Sequence, residues 1–221
     1  MDFEILSTSK PFKGIASDDI AKLIDFLGYK EKQYKKNDII FTTGTDTPQL
    51  GVVLSGSINA VVNHPWGESS IFGRMEAGDI FGGAFDIEKE SRLLCDIVAA
   101  EDSEAVLFDM EAILNLRKDS PDCHSVVIRN LLKNGSDMCV ALAKRMLHTS
   151  PKSIRHRLMS YLAEQAMMND SNKFKIPFNR QQLADYLNVN RPAMSNELSK
   201  MQEDGLLKFH KFDFEIFFGN R

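Results

Sequence analysis

The spacing of apolar residues changes period along the chain, and the changes mark its elements. Residues 17–27, SDDIAKLIDFL, place Ile20, Leu23, Ile24 and Leu27 on one helical stripe. Ser17 is the expected N-cap, and the acids after it suit the first turn. From Tyr34 to Phe108 the pattern becomes short β-type runs (IIFTT, LGVVLSG, SINAVV, SSIFGRM, DIVAA, AVLFD). Eight of the 13 glycines fall between Gly44 and Gly83. Short strands with Gly-punctuated turns and no intervening amphipathic helix predict an antiparallel barrel or sandwich. From Glu111 to Met146 the period is helical again, interrupted at Pro121. Ile128, Leu132, Gly135, Cys139, Leu142 and Met146 then step by alternating fours and threes, with Val127, Leu131, Met138 and Ala141 on the adjoining stripe. Heptad spacing sustained over about seven turns overruns a small barrel, and predicts a parallel two-helix seam between copies of the chain.

Ser150-Pro151 ends that helix and is expected to act as a hinge, because the residue before proline is steered away from the helical region. Ser153 to Met167 reads as an amphipathic helix, FKIPF as a short strand, and LLKFHKFDFEIFF as a terminal hairpin. Between them lies Asn179–Leu207. Its first helix buries Leu183, Ala184 and Leu187 behind an Asn179/Gln182 capping box. Its second buries Met194, Leu198 and Met201, with Asn190 as N-cap and Pro192 in the first turn. Two helices joined by so tight a corner form a helix-turn-helix, and the flanking strands make it a winged one. The fold class is therefore α+β: an N-terminal antiparallel β-roll or barrel (1–120), a long dimerisation helix (121–149) and a C-terminal winged helix-turn-helix (150–221).

Composition adds less than its distribution does. Hydrophobic content of 43% and charged content of 26% are those of an ordinary soluble protein. No run of 18 apolar residues exists and MDFEILSTSKPFKG has no signal-peptide character, so the cytoplasm is the expected compartment, with no membrane partner. The net charge of −4 divides unevenly. Residues 149–221 carry 11 Lys/Arg against 8 Asp/Glu, whereas residues 1–148 carry 16 against 23. The C-terminal part is the mildly basic one, which suits a nucleic-acid partner and equally a solvated face. Cys95, Cys123 and Cys139 are too scattered for a disulfide framework, and the five histidines form no ligand pair, so no metal site is expected. A β-barrel small-ligand-binding protein or cupin-like enzyme with a helical protein-interaction module is the rival reading. The enzyme wants several histidines in the barrel, where only His64 stands, on what reads as an exposed hairpin tip.

KKNDIIFTTGTDTPQLGVVLSGSINAVV, MEAGDIFGG and LNVNRPAMSNELSKMQEDGLL occur in the order barrel strands, turn after a strand, recognition helix. With the long helix between them, the chain resembles the Crp-Fnr family of bacterial transcription regulators. That resemblance implies a non-enzymatic homodimer on a near-palindromic operator, controlled by a small effector, with double-stranded DNA as partner and RNA polymerase as a further one. Cyclic-nucleotide members carry a Gly-Glu pair and an Arg-Ser or Arg-Thr pair for the ribose and phosphate. Here those positions read Gly82-Gly83 and Leu93-Leu94, and the adenine-facing pair on the long helix reads Met138-Cys139. A buried phosphodiester with no arginine would be uncompensated. Arg92 would reach it only by a register shift that turns the side chain to the other face. The expected effector is thus not cyclic AMP, its identity is open, and the expected pocket comprises Gly82, Gly83, Phe85, Arg92, Leu93, Leu94, Met138 and Cys139. On the DNA side, the family positions are Arg191, Pro192 and Asn196. Arg191 suits guanine or a phosphate, Asn196 suits adenine, and Ser195 reaches a base or phosphate. Arg180 and Asn190 are the expected phosphate contacts at helix N-termini, with Lys208 and Lys211 reaching from the wing.

Overall fold

A computed structural model of the chain describes residues 3–46, 49–82 and 92–218. Packing divides it into two compact units, and the division falls inside one helix, between Ser136 and Asp137.

The N-terminal unit opens with α1 (Phe3–Thr8) and α2 (Ser17–Leu27), followed by β1 (Lys30–Tyr34), β2 (Ile39–Phe41), β3 (Gln49–Ser55), β4 (Ser57–Asn63), β5 (Ser69–Glu76), β6 (Ile80–Gly82), β7 (Asp96–Ala99) and β8 (Ser103–Asp109), and then α3 (Met110–Leu114). The strands form two antiparallel sheets, ordered β1-β8-β3-β6 and β2-β7-β4-β5. Strand alternation splits β3 and β8 between two cores. Leu50, Val52, Leu54, Val106 and Phe108 pack against Leu6, Ile20, Leu23 and Ile24 of the helices. Val53, Ala105 and Leu107 face the interior of the roll with Ile58, Ile97 and Phe81. Gly51 leaves the space that the Phe81 ring fills, since a Cβ there would overlap the ring. The cap expected at Ser17 is corrected. Ser17 is the first helical residue, the N-cap is Ala16, and no side chain caps it. Asp18 and Asp19 place negative charge in that first turn instead.

The long helix, α4 (His124–Thr149), starts just beyond the break at Pro121. Its first turns belong to the N-terminal unit. Val127 is fully buried, His124 Nε2 donates to the Ile113 carbonyl at 2.7 Å, and Asn130 Nδ2 donates to the carbonyls of Pro11 and Lys13. Further along, Leu132, Leu142 and Met146 are 70%, 56% and 69% exposed. From Leu132 onward the heptad face thus stands uncovered among the described residues.

The C-terminal unit holds the end of α4, then α5 (Ile154–Met168), β9 (Lys173–Lys175), α6 (Arg180–Leu187), α7 (Arg191–Glu203), β10 (Leu207–His210) and β11 (Asp213–Ile216). Its sheet is antiparallel in the order β10-β11-β9. One core unites the elements, with Leu158 and Leu162 from α5, Leu183 and Leu187 from α6, and Phe174 and Phe214 from the sheet. Pro151 does end α4, and the division between the units falls N-terminal to the expected hinge. Arg157 Nε donates to the Pro151 carbonyl at 2.8 Å, and Ser153 caps α5, so both sides of the break are bonded into the same unit.

Candidate nucleic-acid interface

Local chemistry fixes the two helices of the helix-turn-helix. Asn179 Oδ1 accepts from the Gln182 amide at 2.9 Å while Gln182 Oε1 accepts from the Asn179 amide at 2.9 Å, which completes the capping box. Asn188 adopts φ 52° and ends α6 in the left-handed conformation that asparagine tolerates. Two residues later the side chain of Asn190 accepts from the Ala193 amide and starts α7, whose first turn holds Pro192. Leu183, Ala184, Leu187, Met194, Leu198 and Met201 are all fully buried.

With that face inward, α7 turns Arg191, Pro192 and Asn196 to solvent, and leaves Ser195 half-buried beside them. Arg191, Pro192 and Ser195 line an open concavity of about 620 Å³ together with Gln181, Val189 and Asn190. The structure therefore brings four expected contacts, Asn190, Arg191, Ser195 and Asn196, onto one surface. Gln181 was missed by the sequence reading. Its place on the outward side of α6 follows from Leu183 and Leu187 facing in. Arg155 was missed as well. It bonds Glu197 Oε1 at 2.6 Å and Asp204 Oδ2 at 2.7 Å, which neutralises two acids of the recognition helix region.

Arg180, at the first position of α6, is turned toward the sheet. Its guanidinium lies 4.8 Å and 5.2 Å from the ring centres of Phe209 and Phe214, and Nη1 is buried with no acceptor. Burial pushes its pKa down from the ordinary value. Lys208 is exposed on β10 with its ammonium 5.7 Å from the Phe217 ring, and Lys211 occupies the hairpin turn at φ 52°. On the outer sheet face, Lys173 pairs with Glu215 and Lys175 with Asp213.

Of the expected effector positions, Gly83 and Phe85 lie outside the described residues. Gly82, at φ 71°, is accounted for by the chain itself, because a Cβ would meet the Gln49 carbonyl oxygen at 2.6 Å. Leu93 is buried, whereas Arg92 is exposed and Leu94 is 84% exposed, so these three do not share a lining. Met138 and Cys139 are exposed on α4 within the other unit.

Comparison with known proteins bears on this arrangement. Residues 31–120 match the model of the cyclic nucleotide-binding domain, and residues 156–216 match that of the Crp-like helix-turn-helix domain. The chain belongs to the Crp-Fnr family of transcription regulators. Two curated members show the distance. The fumarate and nitrate reduction regulatory protein of Escherichia coli K12 is 22% identical over 187 residues, covering 83% of this chain and 73% of that one. A probable transcriptional activator of Rhizobium leguminosarum bv. viciae is 22% identical over 176 residues, covering 78% and 71%. Among solved structures, the c-di-GMP responsive regulator CLP of Xanthomonas campestris shares the fold, with a TM-score of 0.54 at 15% identity over 92% of this chain and 100% of that one. In this Crp-Fnr chain, as the family implies, the antiparallel sheets are N-terminal and the helix-turn-helix C-terminal.

Behind the reading helices, the end of α4 carries a buried polar cluster. His148 Nδ1 accepts from the Tyr186 hydroxyl at 2.9 Å, and Nε2 donates to Glu164 Oε2 at 2.9 Å. Glu164 also accepts from Lys144 Nζ at 2.7 Å, and the Tyr161 ring stands edge-on to the imidazole. One donor and one acceptor satisfy a neutral imidazole, whereas a proton on Nδ1 would reverse the tyrosine bond and make the hydroxyl oxygen its acceptor. Glu164 alone favours the charged imidazolium. Desolvation, the larger effect, and Lys144 hold the His148 pKa below its ordinary 6.5. A folded-state pKa below the unfolded one means that the unfolded chain binds the proton more readily. This contribution to stability is whole above about pH 6.5 and lost as pH falls through the folded value. Amides of residues 154–187 should lose hydrogen-exchange protection between pH 7.5 and 5.5 in the parent chain, and lose less in His148→Gln. Equal losses in both chains would refute the assignment.

Proposed function

We propose that the chain is a homodimeric regulator that reads a near-palindromic DNA site through Asn179–Leu207, under an effector other than cyclic AMP. The observation that carries the reading is the outward face of α7. Arg191, Pro192 and Asn196 are exposed above three fully buried apolar residues, and the nearby Glu197 is paired with Arg155. An α-helix offering such a face fits the major groove. Arg191 reads guanine or clamps a phosphate, Asn196 reads adenine, and Ser195 supports either. Asn190 spends its side-chain oxygen on the cap, which leaves its amide nitrogen for phosphate. Arg180, half-buried at the first position of α6, is assigned a phosphate contact, and Lys208 and Lys211 reach the backbone from the wing. Pro192 offers no polar group, so the base code departs from that of family members with a glutamate there.

The uncovered heptad face of α4 supports dimerisation, and two copies place their reading helices in successive major grooves. Regulation then follows from an effector that biases the spacing of the heads. The effector site is assigned to the roll of the N-terminal unit. Such a regulator works in the cytoplasm and by binding, not catalysis. RNA polymerase is a further partner, and promoter geometry decides between activation and repression.

Binding to DNA selected from a random pool should weaken steeply as salt rises. Asn196→Ala should cost about 1–3 kcal/mol and relax preference at one position per half-site, while Arg180→Ala should weaken all sequences and lower the salt slope by about one. Salt-independent binding, or none, would sink the reading. A mild oxidant should join two chains through Cys139 across the seam, and Cys139→Ser should abolish the product; a protein that sediments as a monomer and gives no such product is not the proposed dimer. Titration calorimetry should detect no micromolar binding of cyclic AMP, and micromolar binding would overturn that assignment.

A further inference from the structure

We propose that Arg145 and His148, on the last turns of α4, are positioning residues for DNA recognition. They fasten the seam helix directly to α6, so that α4, and not the Ser150-Pro151 break, carries each reading head. The inference rests on the dimeric DNA-binding reading above.

A helix leaves its last carbonyls without partners. At the end of α6 four successive carbonyls are served by two arginines. Arg145 donates from Nη2 to Asp185 at 3.1 Å and from Nε to Tyr186 at 3.2 Å. Arg157 of α5 donates from Nη1 to Leu187 at 3.0 Å and to Asn188 at 2.9 Å. Cations at this end also complement the helix dipole. The α4 arginine does more than cap, because its guanidinium stands 5.8 Å from the centre of the Tyr186 ring. His148 takes the hydroxyl of the same tyrosine, and Lys144 and Glu164 brace the histidine from α4 and α5. Tyr186 is thus gripped at its carbonyl, its ring and its hydroxyl by a single helix.

These residues all lie in the compact unit from Asp137 onward. The break after Thr149 is no free joint, since Ser150 N donates to the Met146 carbonyl at 2.9 Å and Arg157 holds Pro151. A displacement of α4 therefore passes to α6 through short bonds, without crossing a flexible linker. Turning of the head relative to its seam has to arise N-terminal to Lys144. Because Arg145 is exposed, its removal leaves the core of the unit untouched.

The test compares duplexes carrying one selected half-site with palindromes whose spacer is lengthened one base pair at a time. The parent chain should show a sharp optimum spacing. Arg145→Ala should bind the lone half-site as the parent does, bind the optimum palindrome about tenfold more weakly, and accept neighbouring spacings almost equally; Arg145→Lys should recover part of the selectivity. A spacing profile unchanged in Arg145→Ala would overturn the proposal. So would equal losses on half-site and palindrome, which mark a merely structural role. A parent chain that binds no DNA would sink the DNA reading itself, an outcome distinct from both.

Discussion

Burial of one apolar face by each of α6 and α7 is the constraint on which the DNA surface depends. Met194, Leu198 and Met201 are fully buried in the same core as Leu183 and Leu187. Each such side chain contributes about 1.5–3 kcal/mol when removed from water. Rolling α7 by one residue would bring them into solvent and lose most of that. The identities on the outer face are free to vary, but their direction is not. Pro192 can therefore stand on that face without changing how the helix is presented.

Charge arranged around that surface keeps it usable. The basic excess of residues 149–221 is small, and several of its cations are occupied within the unit. Arg155 covers Glu197 and Asp204, Arg157 holds carbonyls, and Lys173 and Lys175 face Glu215 and Asp213. What remains for a phosphate is a short set, which gives weight to placement over net charge. Most of these pairs are exposed and contribute little to stability; their effect is to remove acids from the side that faces DNA and to satisfy the ends of short helices.

The helix-turn-helix was legible in the sequence because its signals are local. The capping box of Asn179 and Gln182, the N-cap at Asn190 and the 3.6-residue spacing of Met194, Leu198 and Met201 each act within a turn or two of helix. The two sheets were legible as a class, from strand length and glycine, but not in their pairing order. What escaped reading joins distant positions. Arg155 and Glu197 are 42 residues apart, and Arg145 reaches the carbonyl of Tyr186 across 41. Long flexible cations leave no periodic trace. The same blindness explains the expected hinge at Ser150-Pro151, where a true local signal for helix termination says nothing about bonds arriving from α5. Ser17 misled for the opposite reason, since a good capping residue can stand one position inside a helix whose first turn is already acidic.

The central claim is that a two-fold seam presents two heads of this kind to one face of DNA. Hydroxyl-radical footprinting of the 221-residue chain on a selected duplex tests it most directly. Two protected windows related by a dyad are expected, with centres about 10–10.5 base pairs apart. A single window, or two at a spacing unrelated to the helical repeat, would contradict it.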